Sequence, residues 1–136
     1  MSVQLTIVTP EGEVFADAVD SVVLPGSEGE FGVLEGHERF LSALHLGSVA
    51  ITSGGNIRWA AISHGFADVG GEDVVVLVDR AQLGDEIDRV AVESERAAAE
   101  ASLRELSSDP ENHTRRRELH EIIGRADVWL DVAKKA

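Results

Sequence analysis

The sequence contains no cysteine among its 136 residues, and only 4% of them are aromatic. The absence of cysteine excludes disulfides, zinc–thiolate sites and thiol catalysis. No apolar run approaches the roughly 20 residues that a membrane-spanning helix needs. Because aromatics are scarce, the hydrophobic 43% of the chain must build its core from valine, leucine, isoleucine and alanine. A length of 136 residues predicts one ordinary domain, or a small domain with an appendage.

Basic residues are also scarce, above all in the first part of the chain. Residues 1–85 carry thirteen acidic and three basic residues, whereas residues 86–136 carry twelve and nine. The net charge of −13 argues against nucleic acid as a partner and against direct adsorption to anionic lipid. The first ten residues resemble neither a signal peptide nor a transit peptide, so we expect a cytosol-like compartment.

Residues 25–37 read PGSEGEFGVLEGH, with four glycines, three acids and no lysine or arginine. A phosphate-binding loop of the Walker type needs a lysine and a hydroxyl directly after its last glycine. Here that glycine precedes His37, and the three carboxylates would repel a phosphate. Glycines between apolar alternations are typical of tight turns and bulges. The segment is therefore interpreted as an acidic, turn-rich surface that contacts another protein.

Turn signals recur about every 8–12 residues through the first part of the chain, as in an antiparallel sandwich or barrel. Val3, Leu5 and Ile7 alternate with polar residues, and residues 53–56 (SGGN) are typical of a hairpin turn. No strand–helix alternation is present, which disfavours a parallel doubly wound sheet.

Two helices are predicted after residue 84. Asp85 is expected to cap the first, and Asp109 with Pro110 to begin the second. We expect the two helices to form an antiparallel hairpin. The apolar stripe predicted on the first helix consists of Ile87, Val90, Ala91, Ala97, Ala98, Ala101 and Leu106. The face predicted on the second consists of Leu119, Ile122, Ile123, Ala126, Leu130 and Ala133, with Trp129 at its edge. Gly124 inside that helix indicates either a close helix contact or a weak point.

No arrangement of catalytic or metal-binding residues stands out. His113 and His120 could share a helix face but lack a third ligand, so no metal site is expected. Ser63 and His64 are neighbours on a strand and point to opposite faces, which makes a poor nucleophile–base pair. Arg115, Arg116 and Arg117 form the only basic cluster, either a solvated face paired with nearby acids or a docking element for an acidic partner surface.

These segments together resemble the epsilon-subunit family of F-type ATP synthases. The resemblance runs in order through residues 8–12 (VTPEG), 26–37 (GSEGEFGVLEGH), 65–69 (GFADV), 76–79 (VLVD) and the alanine-rich helix pair. It implies an α+β fold, with a ten-stranded antiparallel β-sandwich at residues 1–84 and a two-helix hairpin at residues 85–136. It also implies a non-catalytic rotor subunit that couples proton transport to ATP synthesis, on the cytoplasmic face of the cell (inner) membrane.

The resemblance also implies partners for particular residues. Ser27, Glu28, Gly29 and Glu30 correspond to the turn that meets the c-subunit ring, with Glu30 the acid expected to pair with basic loops. Gly36 and His37 match a Gly-His element near the gamma subunit. The helices regulate ATP hydrolysis in many bacterial relatives, and when extended they would meet the alpha and beta subunits, with Arg115 to Arg117 as docking candidates. Membrane association would come only through the complex.

Some members of that family bind ATP through an Ile/Leu-Asp-x-x-Arg-Ala motif. Ile87 and Asp88 match its first two positions, but Ala91 and Val92 replace the Arg-Ala pair. Arg125 could match a later arginine, whereas Glu121 falls where the preceding one would lie and would repel phosphate. The sequence therefore disfavours ATP as a regulatory ligand, and no other cofactor is expected.

Three hypotheses follow from the sequence. The first is the non-catalytic rotor subunit, the second a stand-alone β-sandwich binding module, and the third an enzyme with a dispersed acidic site. Co-purification with gamma and the c-ring would favour the first hypothesis. Saturable ligand binding by a solitary protein would favour the second, and turnover by the chain alone would favour the third.

Overall fold

The computed structural model describes residues 2–36 and 38–136. Its first part consists of ten strands, and two helices follow. This confirms the predicted fold, a β-sandwich followed by a two-helix hairpin. The strands are β1 (Val3–Thr9), β2 (Gly12–Val19), β3 (Ser21–Gly26), β4 (Gly29–Leu34), β5 (Phe40–Leu44), β6 (Gly47–Ser53), β7 (Asn56–Ile62), β8 (Gly65–Val69), β9 (Asp73–Val78) and β10 (Ala81–Leu83).

Strand pairing runs in the order β10-β7-β6-β3-β5-β8-β9-β1-β2, with β4 on the other side of β3. The link between β3 and β5 is a single residue pair, Gly26 with Leu44, and the sheet folds back at this point. The two halves therefore face each other as the layers β4-β3-β6-β7-β10 and β5-β8-β9-β1-β2. All but one of the pairings are antiparallel, the exception being β1 beside β9. The predicted sandwich was antiparallel throughout, and this one pair differs from the prediction. Strand β1 lies between β2 and β9, antiparallel to the first and parallel to the second.

Inward-facing residues of both layers form one aliphatic core, as the alternation in β1 predicted. Val3, Leu5 and Ile7 are at most 1% exposed. Strands β3, β6, β8 and β9 contribute further valine, leucine, isoleucine and alanine side chains to the same cluster. The β6–β7 turn is the hairpin expected at residues 53–56, and Gly54 and Gly55 both have positive φ.

The two helices begin later than the sequence suggested. Helix α1 spans Arg89–Glu105, and helix α2 spans His113–Lys135. The prediction that Asp85 caps the first helix is wrong. Asp85 lies in a 3-10 turn at Gly84–Glu86, and its carboxylate pairs with Arg58 instead. Asp88 is the true N-cap of α1, accepting a hydrogen bond from the Ala91 amide at 3.1 Å.

The prediction that Asp109 and Pro110 begin the second helix was partly right. Pro110 opens a 3-10 turn at Pro110–Asn112 that leads into α2. Asp109 precedes this turn, but its side chain makes no capping hydrogen bond.

The stripe predicted on α1 was largely wrong. Val90 is 76% exposed, and Ala91, Ala97 and Ala98 are exposed as well. The less exposed face runs instead through Val92, Arg96, Ala99 and Leu103. Alanines occur on several faces of this helix, so their abundance did not identify the side that packs on α2.

Helix α2 is the layer between α1 and the sandwich. Leu119, Ala126 and Ala133 are buried as expected, but Trp129 is also buried at 7% exposure and not at the edge. A side chain at Gly124 would meet nothing within 4 Å, so the close helix contact predicted there is wrong. No helix in the described ranges is long and apolar enough to cross a membrane.

Candidate interaction site

The acidic segment forms a hairpin between β3 and β4 that projects from one end of the sandwich. Ser27, Glu28, Gly29 and Glu30 are all exposed at its tip. Gly26 is buried there, and a Cβ atom at this position would lie only 2.7 Å from the Gly29 carbonyl oxygen, so the turn has no room for a side chain. Gly29 itself has φ +128°, a conformation that side chains rarely adopt. The glycines therefore fold the turn tightly and leave both carboxylates outside.

The hairpin tip is fixed to the second layer of the sandwich. The Ser27 amide donates to the Ala43 carbonyl at 3.0 Å, and the His45 amide donates to the Pro25 carbonyl at 2.8 Å. Phe31 beneath the tip packs edge-on against Phe40, with the ring centroids 5.4 Å apart. This support holds the acidic tip at a defined position relative to β5.

The carboxylates at this tip have no partner within the described ranges of the chain. Neither Glu28 nor Glu30 forms an ion pair or a side-chain hydrogen bond there. Two free negative charges on a rigid, projecting hairpin can attract a basic surface without first breaking internal contacts.

Gly36 marks the opposite end of the same layer. It has φ +79°, and its amide donates to the Gly71 carbonyl at 3.0 Å, which joins the end of β4 to the β8–β9 turn. Gly36 is exposed, whereas His37 lies outside the described residues. Strand β5 thus connects the region after Gly36 with the acidic tip.

An exposed apolar surface on the layer β5-β8-β9-β1-β2 was missed by sequence reasoning. Leu41 on β5 is 68% exposed, Phe66 on β8 is 53% exposed, and Leu77 on β9 is 50% exposed. Phe66 and Leu77 stand directly opposite each other in the strand pairing, and Leu77 pairs on its other side with Val8. We call Val8, Leu41, Phe66 and Leu77 the apolar sheet face. The uninterrupted apolar run of β9 was the available signal, because such a run indicates two covered faces.

The three residues considered for nucleotide binding each have a contact inside the protein. Asp88 caps α1, and half-buried Ile87 packs in a small cluster around Trp129. The Arg125 guanidinium lies 3.7 Å from the Glu95 carboxylate across the two helices.

Arg115, Arg116 and Arg117 do not act as one exposed cluster. Arg115 pairs with Glu118 at 3.3 Å along the same helix, and Arg116 is half-buried. Arg117 lines a cleft of about 600 Å³ between α2 and the sandwich, together with Glu121 and Arg125.

Ser63 and His64 form no catalytic pair. The buried Ser63 hydroxyl is engaged with the backbone of Arg80, accepting from its amide at 2.9 Å. His64 is exposed and lies 3.4 Å from Asp79 instead. Within residues 2–36 and 38–136, no group of three or more His, Asp or Glu residues could hold a metal ion.

The first comparison with known proteins concerns a family model. The model for the beta-sandwich domain of the ATP synthase Delta/Epsilon chain matches residues 2–84, more than half of the chain. This chain belongs to that family.

Curated relatives extend the similarity through the helices. The ATP synthase epsilon chain of Desulforamulus reducens is 37% identical over 122 residues, covering 90% of this chain and 92% of the relative. The ATP synthase epsilon chain 2 of Syntrophotalea carbinolica is 36% identical over 131 residues, covering 96% and 92%. The chain is accordingly a non-catalytic subunit of the ATP synthase rotor stalk, which decides for the first of the three hypotheses.

Solved structures of similar fold come from two mitochondrial assemblies. A chain in the Euglena gracilis mitochondrial ATP synthase (OSCP/F1/c-ring) has a TM-score of 0.65 at 24% identity and covers 98% of this chain and 78% of that one. A chain in the central stalk/c-ring structure from Tetrahymena thermophila has a TM-score of 0.59 at 11% identity, with 98% and 97% covered. At these identities the likeness concerns the fold.

Proposed function

We propose that the sandwich joins two parts of the rotor, with the acidic hairpin tip on the c-ring and the apolar sheet face on the gamma subunit. The observation that supports this most is the adjacency of two unlike surfaces. Leu41 on β5 borders the same shallow cavity as Glu28 and Glu30. A charged contact and an apolar contact can therefore be made side by side to two different partners.

The c-ring contact is proposed from the charge of the tip. Ser27, Glu28, Gly29 and Glu30 are exposed, and their two carboxylates have no partner among the residues that the structure describes, so a basic loop is the complementary partner. Exposed charge pairs of this kind contribute modestly to affinity and more to orientation and association rate. The expected role is to fix the rotational register of the stalk on the ring.

The gamma contact is proposed from the apolar sheet face together with the Gly-His element of the sequence, of which Gly36 lies in the described residues and His37 does not. Burying one large apolar side chain is worth about 1.5–3 kcal/mol, so three such residues can provide a stable core for an interface. Leu41, Phe66 and Leu77 lie on one side of one layer, which suits a single broad partner surface.

Charge reversal tests the c-ring contact. Replacing Glu28 and Glu30 with lysine should reduce ATP-driven proton pumping by membranes that contain the assembled complex. Asp17→Lys on β2 is the control, because Asp17 is exposed and stands opposite the core residue Leu5 and not on the apolar sheet face, and it should leave pumping unchanged. Equal pumping by both variants would exclude the tip as the contact.

An apolar-to-acid change tests the gamma contact. Leu77→Asp should prevent co-purification with gamma, whereas Ile57→Asp, at a similarly exposed site on β7, should not. Retention of gamma by Leu77→Asp would contradict the assignment of this face. Loss in both variants would show only that an added charge is not tolerated, so circular dichroism must first confirm that both fold.

We further propose that the hairpin regulates ATP hydrolysis by detaching and extending toward the alpha and beta subunits, with Arg115, Arg116 and Arg117 as docking residues. Deleting residues 86–136 should leave assembly intact and change the ATPase rate. An unchanged rate under all proton-motive conditions would refute the regulatory role. The expected location is peripheral, on the cytoplasmic face of the membrane.

ATP is not needed for this proposal. Asp88 and Arg125 are already engaged, and Glu121 would repel phosphate. Millimolar ATP should therefore leave the thermal midpoint of the chain unchanged. A concentration-dependent rise in the midpoint would establish ATP as a ligand after all.

A further inference from the structure

Strand β4 has a neighbouring strand on one side only. It pairs with β3 along its whole length, and within the described ranges no strand lies along its other edge. The turn between β3 and β4 has two residues, and in such a hairpin the closing pair, here Gly26 and Gly29, exchanges both backbone hydrogen bonds. Non-bonded and bonded pairs then alternate along the two strands.

This alternation decides which backbone groups of β4 face the open edge. Pro25 and Glu30 form the first non-bonded pair. Pro25 fits this position because it has no N–H, and its carbonyl accepts from the His45 amide at 2.8 Å on the side of β3 away from β4. The N–H and C=O groups of Glu30, Gly32 and Leu34 therefore point to the open edge. None of these groups has a hydrogen-bond partner in the part of the chain that the structure describes.

The two ends of the sheet, β2 and β10, are protected against pairing, in contrast to β4. The pairing of β2 with β1 shifts between Ile7 and Val8, and the Asp17 carboxylate accepts the Ala18 amide of the β2 edge at 2.8 Å. Strand β10 is three residues long and leads directly into a 3-10 turn. Irregular pairing, capped amides and short strands are the usual ways in which sheet edges avoid a further strand.

Strand β4 shows none of these protections among its six described residues. Its register with β3 is unbroken, and it contains no proline, lysine or arginine. Gly32 at its middle is exposed and carries no side chain that could cover the neighbouring backbone. The edge is therefore open to the backbone of another strand.

The surroundings of this edge define the segment that would fit. A cavity of about 580 Å³ lies between the start of β4 and β5, and Phe31, Phe40 and exposed Leu41 are among the residues that line it. A strand added to β4 would direct every second side chain to the side on which Phe31 lies. Apolar residues at alternate positions would thus suit the added strand.

The charges beside the edge are all negative. Glu28, Glu30 and Glu35 are exposed, and residues 25–36 contain no lysine or arginine. A second copy of this chain would bring the same acids to the edge and would be repelled, whereas a basic segment would be attracted.

We propose that β4 is a docking edge for an extended, basic segment of a partner protein, which pairs with the backbone of Glu30, Gly32 and Leu34 as an added strand. The contact goes beyond the two proposed above, because it uses backbone groups and not the acidic tip alone or the apolar sheet face. Its test uses the full chain and a peptide, so it can fail while the c-ring and gamma contacts stand.

The probe is a capped peptide of sequence Thr-Val-Val-Thr-Val-Lys-Lys. When it lies antiparallel to β4 with its second threonine opposite Gly32, its last two valines flank that threonine on the apolar side and its first lysine stands opposite Glu30. The matched peptide with both lysines replaced by glutamate keeps the alternation and reverses the charge. Binding of the two peptides with equal affinity would overturn the basic partner.

Amide hydrogen exchange, resolved by NMR at millimolar peptide, tests whether a strand is added. Exchange at Glu30, Gly32 and Leu34 should slow several-fold, whereas Phe31 and Val33, which already bond to β3, should change much less. Slowing at Glu30 alone would show that the lysines bind only the charge of the tip, and no slowing would show that the edge stays open. Slowing that rises with protein concentration without peptide would assign the edge to a second copy. Each of these three results would overturn the proposal.

A change in the protein removes one donor from the edge. Gly32→Pro should raise the Kd for the peptide about tenfold, because the proline has no N–H and its ring occupies the edge. Ala16→Pro on β2 is the matched control, because Ala16 is exposed and its amide points outward like that of Ala18, two residues away. Equal affinity of the two variants would contradict backbone pairing at β4.

A second pair of peptides guards against misfolding of Gly32→Pro. N-methylation of the threonine opposite Gly32 blocks an amide that faces β4, whereas N-methylation of the preceding valine blocks one that faces away. The first peptide should lose the protection of Gly32 in the unaltered chain, and the second should keep it. Equal protection by both peptides would refute the added strand.

Discussion

The sandwich and the helical hairpin use buried surface in different ways. Among the described residues, eighteen buried side chains from both layers form one continuous core in the sandwich, whereas the cluster that seats the hairpin has three. The helices add surface ion pairs, which contribute little to stability. The sandwich is therefore expected to persist as a platform under conditions in which the hairpin opens.

The largest expected effect is in the sandwich core. Leu5 is fully buried, so Leu5→Ala should lower the free energy of unfolding by about 2–5 kcal/mol, from lost apolar transfer and the cavity left behind. Urea denaturation followed by circular dichroism measures this. Leu77→Ala, at a site 50% exposed, is the control and should cost much less. Equal losses would mean that the core is not the main source of stability.

The next effect concerns a turn of the sandwich. Gly55 has φ +81°, so Gly55→Ala should cost about 1–2 kcal/mol in the free energy of unfolding, from backbone strain. Gly71→Ala is the matched control, because Gly71 has neither a positive φ nor a neighbour near its Cβ position. Thermal denaturation of both variants compares them. If Gly55→Ala were no less stable than Gly71→Ala, the turn would be less rigid than described.

A smaller effect is expected at the start of the hairpin. Asp88→Ala should destabilise α1 by about 1 kcal/mol because the Ala91 amide loses its capping partner. Asp88→Asn should retain most of the cap while removing the charge. The helical signal in circular dichroism distinguishes them. If Asp88→Asn lost as much helical signal as Asp88→Ala, the carboxylate would have a role other than capping.

The smallest effect is expected at the ion pairs between the helices. The hydrogen bond to Asp127, with the charges of Asp127 and Glu100, raises the pKa of the Arg96 guanidinium above its ordinary value. The stabilisation is therefore present below arginine's ordinary pKa and is lost only as the pH rises through the raised one.

Arg96→Gln should thus lower the thermal midpoint slightly at low salt and not at high salt, because salt screens exposed charges. Arg104→Gln, also on α1 but without an ion pair in the described chain, should change the midpoint at neither salt concentration. A salt-independent loss in Arg96→Gln would indicate that packing of its methylene groups, and not charge, joins the helices.

The sandwich was more predictable from sequence than the hairpin because alternation in a strand identifies its buried side directly. Val3, Leu5 and Ile7 face the core as the pattern required. Alanine gives no such signal in a helix, so the buried side of α1 was misjudged. Asp85 and Asp88 are both plausible caps, and only the 3-10 turn at Gly84–Glu86 decides between them.

The candidate site was predictable in part for a similar reason. Glycines and acids in one segment indicated an exposed acidic turn, and Glu28 and Glu30 do lie at the tip of a hairpin. The apolar sheet face was missed because Phe66 and Leu77 become neighbours only through the pairing of β8 with β9. Whether these surfaces meet the c-ring and gamma stays a prediction.

Hydrogen exchange of the full chain, resolved by residue and measured without partners, tests the difference between the two regions most directly. Amides of α1 and α2 should exchange together through a low-energy opening, while β1, β3 and β9 exchange much more slowly, near the rate set by global unfolding. Equal protection of the helices and these strands, lost in one cooperative step, would contradict a detachable hairpin on a fixed sandwich.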